Sequence, residues 1–326
     1  AAGGRGMSDF CHPVTYAPLY YDGEYLRDGK GTSFPIVNGV PRFCEVDNYT
    51  SSFGRQWNHF ATTQIDGEGV SGAIIRDRIF AETGWNPAQM AGQRVLEAGS
   101  GAGRFSRVVL AETTAELFSI DYSTAVEANW RNNAALSGGR FRLAQASIYE
   151  MPFPDRFFDK VFCLGVLQHT PDFAKSVRAL VAKARPGGEI VVDFYPIRGW
   201  WTKLHAKYLL RPLTTRLSHA TLHRLIESNV GWMDGLVGLL EKAGLGALRR
   251  FVPLVDPRTL PPGLTPAQRR EWLVLDTFDM YSPAHDHPQR VETVAQMFRD
   301  AGAEVTFAGF VDTGVSQAAV VRARRR

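Results

Sequence analysis

Residues 93–107 decide the fold of this 326-residue chain, and their sequence is Gln-Arg-Val-Leu-Glu-Ala-Gly-Ser-Gly-Ala-Gly-Arg-Phe-Ser-Arg. The apolar pair before Glu97 indicates a buried strand, and the residues from Arg104 to Leu110 have the character of a helix. Three glycines at alternate positions join the two: Gly99, Gly101 and Gly103. Glycine allows a sharp turn and a close approach of the backbone to a ligand, and the first N–H groups of a helix lack intrahelical partners. The stretch therefore predicts a site for a nucleotide-type ligand.

The spacing of the glycines separates two classes of nucleotide. A dinucleotide fingerprint requires G-x-G-x-x-G, whereas the third glycine here comes one residue early. The form E-x-G-x-G-x-G instead resembles motif I of the class I S-adenosylmethionine (SAM)-dependent methyltransferases. That resemblance implies that the loop passes under the methionine part of SAM and that Glu97 helps to hold its amino group.

Two later runs add features expected around an adenosine. The run 115–120 ends in Asp121-Tyr122, where a carboxylate at a strand end is placed to accept both ribose hydroxyls and the phenol ring can stack on adenine. A third run ends before Ser147-Ile148. The family usually has an aspartate where Ser147 stands, so we expect the backbone after it to contact the base.

Residues 151–196 extend the resemblance. The signatures P-F-P-D-x-x-F-D-x-V, V-L-Q-H and R-P-G-G look like those of small-molecule methyltransferases, such as those of quinone biosynthesis. The resemblance covers roughly residues 71–196 and resumes at 289–323. It predicts an α/β fold: a seven-stranded, Rossmann-like sheet with helices on both faces and an antiparallel last strand. The cofactor-binding residues that we predict are Glu97, Gly99, Gly101, Gly103, Arg104, Phe105, Asp121, Tyr122, Ser147, Ile148 and Leu164, with Arg55, Gln56 and Trp57 from the segment before the core.

The chain outside the core divides into three further parts. We predict a ribbon-like β module at 1–47, an aromatic linker covering the cofactor at 48–70, the core at 71–196 and 289–326, and a helical insertion at 197–288. The module resembles a degenerate zinc ribbon, but Val14 stands where a partner for Cys11 is expected, so no zinc is predicted. Residues 1–6 are interpreted as an expression remnant before Met7. An alternative for the linker is that it only packs the N-terminal module against the core and does not cover the cofactor.

The insertion leaves the core at the edge where ligands of open α/β sheets bind. We expect a lid that supplies substrate contacts, with Trp200 and Trp201 among them. Two alternatives remain open: a homodimer surface, or an interfacial membrane helix carried by Trp200, Trp201 and Tyr208. Helical spacing is seen at 199–210, 221–226 and 232–240.

Methyl transfer to a hydroxyl needs an aligned acceptor and a base with a pKa near the working pH. His169, after the fourth strand, is one candidate, although a structural role for its ring is an equally open alternative. Further candidates follow in the run 276–288, where a His-x-His pair could also bind a metal, although we predict none. The catalytic candidates are His169, Tyr281, His285 and His287, and the substrate-binding candidates are Asp193, Tyr195, Asp279, Trp200 and Trp201.

Composition bounds the remaining possibilities. The formal net charge is only +4, and the basic residues form no stripe with interleaved aromatics, so we predict no nucleic-acid partner and interpret Arg322–Arg326 as a frayed tail. There is no 18-residue apolar run, and three cysteines cannot form a disulfide framework. We predict a cytoplasmic enzyme without stable membrane insertion that methylates an oxygen, less readily a nitrogen, of a polar small molecule such as a sugar or natural-product intermediate. Non-methyl-transfer chemistry and a non-catalytic SAM-binding protein are the alternatives.

Overall fold

A computed structural model of the protein describes residues 6–45, 54, 62–65 and 73–326. The N-terminal residues form an antiparallel sheet in which each strand pairs with the next along the chain. Its strands are β1 Met7–Cys11, β2 Pro18–Asp22, β3 Tyr25–Arg27, β4 Ser33–Val37 and β5 Val40–Pro41. Such a small sheet needs a neighbouring surface to complete its core.

The N-terminal sheet obtains that core by packing on the main domain. The Phe10 and Phe153 rings lie 5.6 Å apart, and the backbone N–H of Phe43 donates to the Gln145 carbonyl at 2.8 Å. Burial raises the pKa of the Cys11 thiol to about 11 and that of Cys44 to about 12. Within the described ranges, no three His, Cys, Asp or Glu side chains come together as a metal site requires. The zinc-ribbon resemblance thus has no ligand set among these residues.

The main sheet has seven strands in the order β11-β12-β10-β9-β6-β7-β8. Its strands are β6 Arg94–Ala98, β7 Glu116–Asp121, β8 Phe141–Gln145, β9 Phe158–Cys163, β10 Ala184–Phe194, β11 Ala303–Asp312 and β12 Gln317–Arg325. β6 to β10 pair in parallel, and β12 runs antiparallel to both of its neighbours. The predicted Rossmann-like α/β fold with an antiparallel last strand is confirmed.

Helices cover both faces of this sheet. The described helices are α1 Ile74–Thr83, α2 Arg104–Glu112, α3 Val126–Asn133, α4 Phe173–Lys183, α5 Ala206–Thr214, α6 His219–Lys242, α7 Pro266–Tyr281 and α8 Val291–Asp300. One buried apolar cluster joins α1, α2 and α3 to the sheet, and another joins α4, α8 and the N-terminal module to it. Each parallel strand is therefore covered on both faces, which explains the consecutive buried apolar residues in its middle, such as Val95-Leu96 in β6 and Ile190-Val191-Val192 in β10.

Helices α5 to α7 form the insertion, and they have an apolar cluster of their own. Ser218 caps α6 by accepting from the Thr221 N–H, and Thr265 and Gln268 form a capping box on α7 with Pro266 in its first turn. The two ends of the insertion meet, since the N–H of Ile197 donates to the Gln289 carbonyl at 2.8 Å.

Three local expectations differ from the structure. The stretches 221–226 and 232–240 belong to one continuous helix, α6, because buried contacts of residues such as Val230 and Met233 outweigh the intrinsic cost of Gly231. The stretch 199–210 is a short 3-10 turn over Trp200–Lys203 followed by α5. The C-terminal arginines are not a frayed tail: Arg325 lies in β12 and donates to the carbonyls of Val181, in the last turn of α4, and Ala184, just after it.

Candidate functional site

A cavity of about 640 Å³ lies at the carboxyl ends of the parallel strands, under the helical insertion. Its floor is formed by the residues that follow β6, β7, β9 and β10, and its roof by residues of α5, α7 and the turns between them. This is the edge at which open α/β sheets bind ligands. The lining includes Gly99, Gly101, Arg104, Phe105, Asp121, Tyr122, Ile148, Leu164, His169, Asp193, Tyr195 and Asp279.

The glycine loop between β6 and α2 adopts a backbone that requires glycine. Gly99 has a φ of +84°, and a Cβ there would lie 2.7 Å from Val166 Cγ1 and still closer to Cγ2. Gly103 has a φ of +86° and is crowded by the Asn129 and Asn133 side chains on α3. The loop is thereby held between two neighbouring segments, with its N–H groups directed to the strand ends.

Glu97 lies beneath this loop and is 1 % exposed. The Ser106 and Ser119 hydroxyls both donate to its Oε2, while Oε1 has no hydrogen-bond partner among the described residues. Burial raises the pKa of Glu97 to about 7, against the two serine hydrogen bonds, which lower it. The carboxyl group links β6 to α2 and β7 and is not part of the described cavity lining.

Asp121, at the end of β7, binds the loop from the other side. Its Oδ2 accepts from the Gly101 N–H at 2.8 Å, and its Oδ1 accepts from the N–H and hydroxyl of Ser123 at 2.8 and 2.6 Å. Burial raises the pKa of this carboxyl group, although the three donors oppose the shift. A carboxylate has about four lone-pair positions, so Asp121 retains acceptor capacity toward the cavity.

Two arginines and two carboxylates form a charged group in the cavity lining: Arg78, Arg104, Glu82 and Asp193. Arg78 donates from Nε to Glu82 at 2.8 Å and from an Nη atom to Asp193 at 2.9 Å. Asp193 also accepts from the Gly165 N–H, which fixes the turn after β9. Burial, followed by the charge of Arg78, lowers the pKa of Arg104 to about 10, and its guanidinium donates to the Gln64 side chain.

The part of the cavity under the insertion is lined by a connected polar cluster. The Tyr195 hydroxyl donates to Asp279 at 3.2 Å, and the Tyr195 ring meets the edge of the His169 ring at a centroid distance of 5.5 Å. One turn earlier on α7, Asp276 accepts from Gln64 at 3.2 Å. Burial, and then the charge of Asp279, raise the pKa of Asp276 to about 7. A carboxyl group with that pKa exchanges a proton near neutral pH.

The hydrogen-bond partner of His169 determines which of its ring nitrogens carries the hydrogen. Its Nδ1 lies 3.1 Å from the His285 carbonyl, which can only accept, so Nδ1 carries the hydrogen and the lone pair of the neutral ring is on Nε2. Burial lowers the pKa of His169, which keeps the ring neutral at pH 7. A neutral, oriented imidazole is suited to accept a proton.

The segment 285–287 acts on the site through its backbone and one ion pair. The His287 N–H donates to the Gln168 carbonyl at 2.8 Å, and Asp286 accepts from Lys207 at 2.8 Å. The side chains of His285 and His287 stack on each other at 5.8 Å. This segment therefore braces the loop that carries His169.

The remaining predicted residues lie elsewhere. Outside the lining formed by the described residues are Glu97, Gly103, Ser147, Trp200, Trp201, Tyr281, His285 and His287. The Ser147 hydroxyl accepts from the Tyr149 N–H within its own turn, Tyr281 is buried in the insertion's apolar cluster, and Trp200 is 78 % exposed. Arg55, Gln56 and Trp57 fall outside the described residues, so their predicted cofactor contact stays a prediction.

Other lining residues were not predicted: Arg78, Glu82, Gln168, Lys207, Trp272 and Asp276. Gln168 is 1 % exposed, and neither atom of its side-chain amide has a hydrogen-bond partner within the described part of the chain. The sequence could have predicted Asp276 as a site residue, because Asp276 and Asp279 are three residues apart and therefore share one face of a helix. The same holds for Arg78 and Glu82, at a spacing of four.

Comparisons with known proteins find similarity to methyltransferases. Residues 96–192 match the family model described as a methyltransferase domain. The chain is 27 % identical over 168 residues to a ubiquinone/menaquinone biosynthesis C-methyltransferase of Vibrio cholerae, covering 47 % of this chain and 64 % of that protein. It is 40 % identical over 68 residues to a tRNA U34 carboxymethyltransferase of Nautilia profundicola, covering 21 % of this chain and 22 % of that protein. The chain spans less than two thirds of the length of these curated relatives.

Among solved structures, the chain aligns with a magnesium protoporphyrin IX methyltransferase from Synechocystis PCC 6803 with bound SAH. The TM-score is 0.47 at 16 % identity, and the alignment covers 85 % of this chain and 96 % of that one.

Proposed function

We propose that this protein, whose core is a class I SAM-dependent methyltransferase domain, transfers the methyl group of SAM to a hydroxyl oxygen of a polar small molecule. The observation that carries the proposal is the single cavity that runs from Asp121 and the glycine loop to His169, Tyr195 and Asp279. The proposed cofactor side (Asp121 and the glycine loop) and the proposed acceptor side (His169, Tyr195 and Asp279) thus share one cavity, as an in-line displacement requires.

The residues present fit the cofactor. Asp121 would accept from the ribose hydroxyls, Tyr122 and Ile148, which line the cavity, would contact the adenine, and the loop from Gly99 to Gly103 would lie beside the methionine part. When bound, SAM supplies an electrophilic methyl group on a sulfonium, so that a carbon–oxygen bond forms as the carbon–sulfur bond breaks. The protein's own tasks are to orient the acceptor, to exclude water and to remove the hydroxyl proton.

We assign proton removal to Nε2 of His169. The His285 carbonyl fixes the tautomer, and Tyr195, held by Asp279, packs against the ring and sets its orientation. The Gln168 amide, with both atoms unpartnered among the described residues, is available to bind acceptor hydroxyls. The helical insertion, residues 197–288, supplies the roof that excludes water.

A nitrogen acceptor is the second candidate, and the charge of the cavity favours it. Among the described lining residues, five are acidic (Glu82, Asp121, Asp193, Asp276 and Asp279) and three are basic (Arg78, Arg104 and Lys207). An excess of carboxylates attracts an ammonium group. Such an acceptor must lose a proton before it attacks, and Asp276, with a pKa of about 7, is placed to take it.

The test of the proposal begins with ligand-dependent melting. At 100 times its dissociation constant, a ligand adds about 2.7 kcal/mol to the free energy of unfolding. We expect SAM and S-adenosylhomocysteine, but not NAD, to raise the melting temperature. Acceptors are then screened by release of S-adenosylhomocysteine. A shift with NAD alone, or with none of the three, would overturn the cofactor assignment, while tight SAM binding without turnover on any acceptor would support non-methyl-transfer chemistry.

A further inference from the structure

Helix α5 turns its charged face toward the protein interior and an apolar face toward the outside. Lys207 is buried and bonds to Asp286 at 2.8 Å, and Arg211 donates to the carbonyls of Met280 and Pro283. Leu209 lies two residues from Lys207, or about 200° around the helix, and is 58 % exposed. Leu213, one turn later, is 61 % exposed. A helix on a protein surface ordinarily turns its apolar side to the core.

The exposed apolar side chains continue beyond the helix at both ends. Before α5, Trp200 and Trp201 pack edge to face with centroids 6.2 Å apart, and Leu204 follows them. After α5, Leu217 is exposed as well. We call the exposed side chains of Trp200, Trp201, Leu204, Leu209, Leu213 and Leu217 the outward apolar face. Single exposed apolar residues are ordinary, but a succession of six within eighteen residues marks an interaction surface.

The charged residues within the stretch of sequence that carries the outward apolar face have one sign. The sequence contains no Asp or Glu from Phe194 to Ile226, a stretch with six Lys and Arg residues. Lys207 and Arg211 are engaged inside, whereas Arg198, Lys203, Arg216 and Arg224 are exposed. A second copy of the same face would bring like charges together, which disfavours a symmetric dimer through this surface. A surface of negative charge with an apolar interior is the complementary partner.

We propose that the outward apolar face docks on the surface of an anionic lipid bilayer. Tryptophan rings favour the headgroup level, leucines reach the acyl boundary, and exposed Arg and Lys side chains meet lipid phosphates. The protein lies on the bilayer, and in the described part of the chain no helix is long and apolar enough to cross it. This proposal does not depend on the methyl-transfer chemistry.

The cavity lies directly behind the docking face. Thr202, His205 and Tyr208 line the cavity, while their neighbours Trp201, Leu204 and Leu209 point outward. One layer of α5, about 10 Å thick, therefore separates the cavity from the bilayer surface.

Co-sedimentation of the full chain with vesicles tests the proposal. The vesicles contain phosphatidylcholine alone, or phosphatidylcholine with about one third phosphatidylglycerol. We expect binding to the anionic vesicles that weakens with salt and little binding to the neutral ones. Two variants probe the surface: Trp200→Ser with Leu209→Ser, and Arg198→Gln with Lys203→Gln. The first should weaken partitioning at least about tenfold, and the second about twenty-fivefold, or roughly fivefold for each of its two basic residues.

Trp232→Ser is the matched control. Trp232 is 56 % exposed on α6, but Glu227 and Asp234 lie near it in the sequence, and we expect unchanged vesicle binding. All variants change exposed side chains, so their melting temperatures should equal that of the parent. Absence of parental binding to anionic vesicles overturns the proposal, and so does an equal loss in Trp232→Ser. A parental dimer that Trp200→Ser with Leu209→Ser converts to a monomer, without vesicle binding by the parent, would assign the face to self-association instead.

Discussion

Replacement of Asp121 by asparagine tests the cofactor side of the cavity most directly. Oδ2 of Asp121 accepts from the Gly101 N–H, and Oδ1 accepts from two donors of Ser123. An asparagine keeps the shape but has only one accepting oxygen. If that oxygen faces Ser123, the new NH2 group faces the Gly101 N–H, and two donors meet across 2.8 Å.

The expected size of the effect follows from these contacts. A buried donor that loses its acceptor costs about 1–3 kcal/mol, and a hydrogen bond to a charged acceptor contributes about 1.5–3 kcal/mol. Loss of the loop contact together with the charged contact to ribose should therefore weaken SAM binding by about 3 kcal/mol, or more than a hundredfold. Isothermal titration of SAM and S-adenosylhomocysteine measures this loss directly.

Asp28→Asn is the matched control for Asp121→Asn. Oδ1 of Asp28 also accepts from two backbone N–H groups, those of Lys30 and Thr32, but in a surface turn of the N-terminal module. We expect its SAM affinity to equal that of the parent. Parental SAM affinity in Asp121→Asn, with the melting temperature of the free protein also retained, would refute the placement of the ribose at Asp121.

Three further perturbations follow from the geometry. His169→Gln should lower kcat by about a hundredfold or more at unchanged SAM affinity, and should abolish the acid limb of the kcat–pH profile; a parental profile would remove His169 as the base. Gly99→Ala forces a Cβ into Val166 at a φ of +84°, so we expect a loss of about 2 kcal/mol or more in chemical denaturation, only partly restored by adding Val166→Ala. Burial raises the pKa of Glu97 from 4.5 to about 7, so the folded protein holds this proton more tightly than the unfolded chain does. The free energy of unfolding should therefore fall as the pH rises from about 4.5 to 7, by at most about 3 kcal/mol. Glu97→Gln should flatten that slope and melt above the parent at pH 8, and an unchanged slope would contradict the assignment.

The core of the molecule was predictable because the residues of its glycine loop and of its strands indicate their own backbone conformation. Gly99 and Gly103 are required by a backbone of positive φ, and the runs before them and after them are apolar because both faces of the sheet are covered. The residues that stand at strand ends, such as Asp121 and Tyr195, follow from topology, since the carboxyl ends of parallel strands share one edge.

The acceptor side was harder to predict because its side chains come from helices whose orientation depends on tertiary packing. Trp200 and Trp201 were expected at the substrate, but both lie in the 3-10 turn before α5, where their rings are exposed. His285 and His287 attract notice as titratable groups, yet the described contacts of their segment to the His169 loop are made by backbone atoms. A sequence pattern records which side chains are present and does not record which of them a packed helix directs into a cavity.

The two ends of the insertion meet, so the insertion can be removed or exchanged at one point of the chain. Ile197 and Tyr195 both bond to Gln289, so the core is already closed where the chain leaves and returns. An excursion of about ninety residues from such a closed point has a loop-closure cost of only about 4 kcal/mol, which the insertion's own apolar cluster offsets. Recombination at this junction would exchange the insertion's helices for another set while the residues at the strand ends keep their register. The same junction marks where a short turn would shorten the chain to a minimal domain, or where a foreign cap would be grafted.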